Sequence, residues 1–152
     1  MTEYEILINN LKTLELERIP EILPDYLNHI SKNPPSLTTS LCKLTNDEIN
    51  FKNERASEGI IKSAGFPFRK SLDSFDFSFQ PSISKNQIID LATLRFLDEN
   101  ENIIFVGNPG VGKTHLAIAL GMIAAEHRKS VYFITCHNLI SKLNRAHNEN
   151  RL

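Results

Sequence analysis

Gly107-Asn108-Pro109-Gly110-Val111-Gly112-Lys113-Thr114 decides how the rest of the chain is read. The octapeptide fits G-x-x-x-x-G-K-[ST]. Ile103-Ile104-Phe105-Val106 precedes it, an apolar run rich in β-branched residues that predicts a buried strand. His115-Leu116-Ala117-Ile118-Ala119-Leu120 follows and predicts a helix. Strand, glycine turn and helix in that order are the context in which the motif holds phosphate. Gly110 and Gly112 let successive backbone N–H groups approach phosphate oxygens with no Cβ in the way. The helix start adds unpaired N–H groups and a positive dipole end. Lys113 is expected to reach the β- and γ-phosphates and the Thr114 hydroxyl to ligate Mg²⁺. A glycine turn that fits the pattern by chance is the bland alternative, and both flanks argue against it.

The 152 residues suffice for one ordinary domain, or a small one with an appendage, and 41% hydrophobic content permits a core. No run approaches the roughly 18 apolar residues of a membrane span. The opening Met1-Thr2-Glu3-Tyr4 is unlike a secretory signal. Cys42 and Cys136 match no metal spacing and read as buried free thiols of a reducing compartment, so a cytoplasmic location is expected. A net charge of −1 gives no global nucleic-acid signature.

Residues 1–33 carry helical periodicity. Leu7, Leu11 and Leu14 share one face, Ile22, Tyr26 and Ile30 another, and Pro20 and Pro24 are expected to divide the region into two or three short helices. Thr45-x-x-Glu48 reads as a capping box opening a helix over 45–64, with Ile49, Ala56 and Ile60 inward and Glu48–Lys52 and Glu58–Lys62 as i, i+4 pairs. Gly65 and Pro67 end it. Residues 66–82 have no period but hold Phe66, Phe68, Phe75, Phe77 and Phe79. They read as a linker pinned by aromatics onto the next domain; a sharper reading sets part of them against a nucleobase. Ser84-x-x-Gln87 caps a helix over 84–98, with Ile88, Ile89, Ala92 and Phe96 inward. The motif helix is expected over 113–127, a second strand at Val131-Tyr132-Phe133-Ile134-Thr135, and a last helix carrying Leu139, Ile140, Leu143 and Ala146. The order α-β-α-β-α predicts parallel strands. The fold class expected is therefore α/β, with a helical region over 1–82 followed by part of a parallel P-loop sheet over 83–152.

Gly107 to Ala117 resembles the G-x-P-G-x-G-K-T-H-L-A form of the AAA+ clade that holds DnaA, the helicase loader DnaC and the transposition helper IstB. Leu91-Ala92-Thr93-Leu94-Arg95-Phe96-Leu97 resembles IstB-like proteins in particular. So do Ala64-Gly65-Phe66-Pro67, Phe75-Asp76-Phe77 with Gln80-Pro81-Ser82, and Arg145-Ala146-His147. The resemblance implies an ATP-binding helper of an insertion-sequence transposase. Such a helper assembles on DNA, presents the target, and uses N-terminal helices for DNA and partner contacts. It implies ATP and Mg²⁺ as cofactors, a homo-oligomer, and nucleotide contacts from Gly107, Asn108, Pro109, Gly110, Val111, Gly112, Lys113, Thr114 and His115.

Hydrolysis in this clade also needs an acidic strand end (Walker B), a sensor and an arginine finger. Ile88-Ile89-Asp90 is the nearest acidic match, but it lies upstream of the loop on a predicted helix. The chain is accordingly read as a truncated IstB-like protein or a short form that pairs with another chain, and turnover by it alone is left open. His29, His115, His127, His137 and His147 show no metal spacing. Lys62, Arg69, Lys70, Arg128, Lys129, Lys142, Arg145 and Arg151 are candidates for a DNA-facing patch, with solvated helix surface as the bland reading. Three rival functions stand beside the transposition helper: a DnaC-type helicase loader, a non-catalytic adaptor binding DNA or transposase, and an unrelated P-loop kinase.

Overall fold

The computed structural model describes residues 1–79 and 83–151. Gln80-Pro81-Ser82 and Leu152 lie outside the described residues. The chain divides into two units, Met1–Ala56 and Ser57–Leu152.

In the first unit, α1 (Glu3–Thr13) opens on a capping box that the sequence reading passed over. The Thr2 N–H donates to Glu5 Oε2 at 2.8 Å, and the Glu5 N–H donates to Thr2 Oγ1 at 3.3 Å. The helix closes on Glu15, at φ +56. There the Leu16 N–H reaches the Leu11 carbonyl and the Glu15 N–H reaches that of Lys12, both at 3.0 Å. This is a Schellman turn, with Leu11 and Leu16 as its apolar pair. Both pack with Ile8, Ile22 and Tyr26 on the buried Ile19, Leu23 and Leu44. Leu7 and Leu14, expected on the inner face, are exposed. α2 (Arg18–Ile30) runs through both prolines. Pro20 sits in the first turn, where its missing N–H costs nothing, and Pro24 forfeits one bond.

The largest surprise in this unit is Glu48. The expected helix over 45–64 starts eight residues earlier, as α3 (Leu37–Ser63). The Ser36 hydroxyl accepts from the Thr39 N–H at 3.1 Å, and the Ser36 carbonyl accepts from the Ser40 N–H. Thr45 is therefore mid-helix and donates its hydroxyl to the Leu41 carbonyl at 2.7 Å. Glu48 is buried, 3% exposed, and caps a different helix. Its carboxylate accepts from the N–H groups of Glu17, Arg18 and Ile19 at 3.0, 2.8 and 2.9 Å. Those are orphan donors at the start of α2, whose own N-cap residue supplies no side-chain bond. A carboxylate there also meets the positive end of the helix dipole.

In the second unit the remaining helices are α4 (Lys85–Ala92), α5 (Arg95–Asp98), α6 (Lys113–Glu126) and α7 (Cys136–Asn148). The single helix expected over 84–98 is two, because Leu94 turns left-handed at φ +62 and is buried there. The Ser84 hydroxyl does cap α4, accepting from the Gln87 N–H. α4 packs on α6. α6 is apolar nearly all round: Leu116, Ile118, Ala119, Leu120, Ala124 and Ala125 are all buried, as in a helix enclosed by its domain. It ends in a second Schellman turn on Arg128 (φ +58), the Lys129 N–H reaching the Ala124 carbonyl at 2.9 Å.

The expected parallel sheet is not present. Among the described residues there are seven helices and no paired strands. Residues 103–106 and 131–135 are non-helical, and neither forms a ladder with the other. The Phe133 N–H instead donates to the Ala64 carbonyl at 2.7 Å, and the Thr135 carbonyl accepts from the Leu139 N–H of α7. The physical reason is pairing. β-branched apolar runs supply strand propensity, but a strand exists only where a neighbour takes up its N–H and C=O groups. Burial alternates instead: Ile103 and Phe105 are half-buried, whereas Ile104 and Val106 are 83% and 90% exposed. Ile104 and Val106, with Tyr132 of the second segment, are thus left as exposed apolar side chains. Both cysteines are also exposed, not buried as the sequence reading had them.

Candidate phosphate-binding site

The loop turns sharply twice before α6. Gly110 and Gly112 take φ +83 and +93, a region closed to side chains without strain. Gly112 is the residue immediately ahead of the helix, and its carbonyl accepts the Leu116 N–H at 3.0 Å. Gly112 has no side chain with which to cap this helix, and among the described residues no side chain accepts from the first-turn N–H groups. Lys113 folds back over the loop: its ammonium donates to the carbonyls of Gly107 and Asn108 at 2.8 and 2.7 Å. Those bonds hold the positive charge within the turn. Thr114 is exposed on the first turn of α6. A cavity of about 650 Å³ opens beside the loop, lined by Gln87, Ile88, Phe105, Asn108 and Lys113 among others.

The other flank of the loop is covered by the aromatic segment upstream. From Phe66 onward the chain runs back along α6 as a strap. The Phe66 ring lies over Gly121, where an added Cβ would stand 2.8 Å from its Cζ. The Lys70 N–H points at Met122 Sδ, 3.3 Å away. Ser71 and Ser74 form a compact turn, with the Ser74 hydroxyl donating to the Ser71 carbonyl at 2.8 Å. His115 Nε2 meets that same carbonyl at 2.9 Å and the Ser74 hydroxyl at 3.3 Å. A carbonyl only accepts, so Nε2 carries the hydrogen. Phe75 then lands on the loop. Its ring lies edge-on to the His115 ring at 5.2 Å and to Phe77 at 4.8 Å. A Cβ on Gly112 would stand 2.5 Å from Phe75 Cε2. The Asp76 carboxylate accepts from the Ser78 hydroxyl and N–H at 2.6 and 2.9 Å, which lowers its pKa and closes the strap's last turn.

The strap is anchored at its start by Arg69, which grips the Glu58 carboxylate with both guanidinium arms, one of them at 3.1 Å. That contact holds Glu58 below its ordinary carboxylate range. The basic residues named as a DNA patch are largely engaged with neighbours. Lys62 and Arg69 face Glu58, Lys129 faces Asp98, and Arg145 and Arg151 share Glu149. Lys142 meets the Tyr132 hydroxyl, and Lys70 lies over the Phe68 ring. Exposed pairs of this kind are weak and exchange readily for other anions. Among the described residues no helix is long and apolar enough to cross a membrane.

A left-handed glycine turn, an uncapped helix start and a lysine folded over the turn together have the form of the P-loop class. Comparison with known proteins is specific. Residues 9–152 match the family model of the IstB-like ATP binding protein. An insertion sequence IS232 protein of Bacillus thuringiensis subsp. berliner, named for ATP binding, is 47% identical over 98% of this chain and 60% of its own length. An insertion sequence IS21 protein of Pseudomonas aeruginosa, likewise named, is 39% identical over 100% of this chain and 56% of its own. A replicative helicase loader DnaC of Buchnera aphidicola is 45% identical, but over only 34% of the chain. The chain belongs to the IstB-like ATP-binding family of insertion sequences, and it spans a little over half the length of those two insertion-sequence relatives.

Proposed function

We propose that this chain binds ATP through Gly107–Thr114 and serves an insertion-sequence transposition helper that assembles on DNA and cooperates with a transposase. The observation that carries the nucleotide reading is Lys113. Its ammonium is held inside the glycine turn by two carbonyls, at the mouth of a helix whose first-turn N–H groups have no side-chain acceptor among the described residues. Phosphate oxygens would take those N–H groups and draw the ammonium outward, exchanging neutral acceptors for charged ones. Pro109 and Val111 shape the turn between the glycines, and Asn108 offers its carbonyl to Lys113.

The Thr114 hydroxyl fits Mg²⁺, a hard cation that takes oxygen ligands and keeps several waters. It is exposed next to Lys113. Among the described residues no three His, Cys, Asp or Glu side chains cluster as a cage. Phosphate oxygens and water would take further positions around the ion. When bound, the ion supplies charge neutralisation across the phosphates.

Family membership supports DNA contact, a transposase partner and self-association as parts of the same reading. Helicase loading is the second reading, favoured by the short DnaC match; the longer matches to insertion-sequence proteins favour transposition. The test is titration of ATP into the wild type and Lys113→Ala, with and without Mg²⁺. Loss of binding in the variant is expected. Equal affinity in both would overturn the nucleotide reading. For DNA, affinity falling steeply with salt is expected, and no binding at low salt would count against it.

A further inference from the structure

The nucleotide reading leaves the strap unexplained, and its geometry is too specific for a spacer. A series of contacts ties residues 66–75 to α6, and the last of them lies on the loop itself. Gly112 sits at φ +93 as the pivot between the glycine turn and the helix. Left uncovered, a glycine there would sample both signs of φ, and the turn would have to be ordered when phosphate arrives. Phe75 covers it. The ring occupies the space a side chain on Gly112 would take, so that face of the turn is filled before any ligand binds. By contrast, a Cβ on Gly110 would meet nothing within 4 Å, and the ligand side of the loop remains open.

His115 is what places Phe75 there. It stands on the first turn of α6, three residues after Gly112, and its Nε2–H binds the Ser71 carbonyl of the turn that delivers Phe75. The Phe75 N–H completes that turn on the Leu72 carbonyl at 3.0 Å. His115 and Phe75 also touch each other edge to face. One residue directly downstream of the motif and one well upstream of it thus hold the same pivot from two directions.

We propose that Phe75 and His115 are positioning residues for the phosphate loop: His115 latches the Ser71–Ser74 turn, and the latched turn seats the Phe75 ring on Gly112, fixing the glycine turn in its ligand-ready conformation. The inference rests on the nucleotide reading above. It makes no use of His115 as an acid or base. Preorganisation of this kind raises affinity by removing the ordering cost at the moment of binding.

The test uses the full chain, with ATP–Mg²⁺ affinity measured by calorimetry and amide hydrogen exchange at residues 110–113 measured in the nucleotide-free protein. Phe75→Ala is expected to weaken binding by roughly fivefold to tenfold, the scale of one buried aromatic contact, and to speed exchange across the turn. His115→Ala is expected to do the same. His115→Gln, whose amide can still donate to the Ser71 carbonyl, is expected to recover most of the affinity. Because the two residues form one device, the double alanine variant is expected to be little worse than either single one. Unchanged affinity and exchange in a folded Phe75→Ala variant would overturn the proposal, as would fully additive losses. If Phe75→Ala does not fold, the comparison of His115→Ala with His115→Gln decides, and equal affinities refute the latch. Failure of the wild type to bind ATP, or indifference to Lys113→Ala, defeats the underlying nucleotide reading instead.

Discussion

Replacing Glu48 is the sharpest probe of the first unit. Its carboxylate accepts three N–H groups at the start of α2 from a site that is 3% exposed. In Glu48→Gln the side chain keeps its shape but loses its charge, and its single carbonyl oxygen cannot serve all three donors. One charge-assisted bond becomes an unmet donor and the others weaken, a loss of roughly 2 kcal/mol. Glu48→Ala leaves three orphan donors and an emptied site. The Glu17 and Arg18 N–H groups are part-buried and water can reach them, whereas that of Ile19 is buried. We expect a loss of roughly 3–4 kcal/mol. In a domain of this size each kcal/mol moves Tm by about 4–8 °C, so Glu48→Gln is expected to lower the melting of the first unit by roughly 8–16 °C. The assay is thermal unfolding by circular dichroism, paired with hydrogen exchange read on peptides covering residues 17–23. Glu54→Gln, exposed on the same helix, is the control and should leave both readouts unchanged. If Glu48→Gln melts with the wild type and the amides of residues 17–19 exchange no faster, the carboxylate is not what caps α2.

Other outcomes test other parts of the chain. Gly121→Val drives a side chain into the Phe66 ring, whose Cζ is 2.8 Å from an ideal Cβ, and should destabilise by about 1–3 kcal/mol in urea unfolding; an unchanged midpoint would refute the close packing of the strap. The Glu58 pKa is lowered chiefly by its hydrogen bond to Arg69. A depressed carboxyl stabilises the folded state above its ordinary pKa, and that contribution disappears as pH falls through the lowered value. Protection of amides 66–72 should therefore decline on acidification below the ordinary carboxylate range, and Arg69→Ala should remove the dependence. Ile104→Lys with Val106→Lys places charges on positions that are already bare, so light scattering at high concentration should fall while the melting temperature stays constant.

The sequence made the loop and the motif helix legible because their chemistry is local. Gly110, Gly112 and Lys113 are constrained by the turn they make, and that constraint is written in consecutive residues. The Ser84 cap was legible for the same reason. Glu48 was misread because a capping box is also a local signal, and its spacing occurs by chance within a helix already begun at Ser36. Its true partners are some thirty residues away. Leu94 gave no warning of the break between α4 and α5, since no glycine or proline marks it. The apolar runs at 103–106 and 131–135 announced strand propensity, but propensity is a property of residues and pairing a property of neighbours. The five phenylalanines of 66–79 advertised aromatic contact, while the seats of Phe66 and Phe75 along α6 could be seen only with the helix in place.

The turns that close α1 and α6 have a consequence for engineering the chain. Glu15 and Arg128 adopt a left-handed backbone at φ +56 and +58, a conformation that costs a residue with a Cβ about 1–2 kcal/mol and glycine almost nothing. The chain therefore holds a reserve of stability it has not drawn on. Glu15→Gly should recover about 1 kcal/mol outright. Arg128→Gly should recover less, because the arginine at that position also sets its charge against the negative pole of α6. A thermostable variant for biophysical work is therefore best sought at Glu15 first.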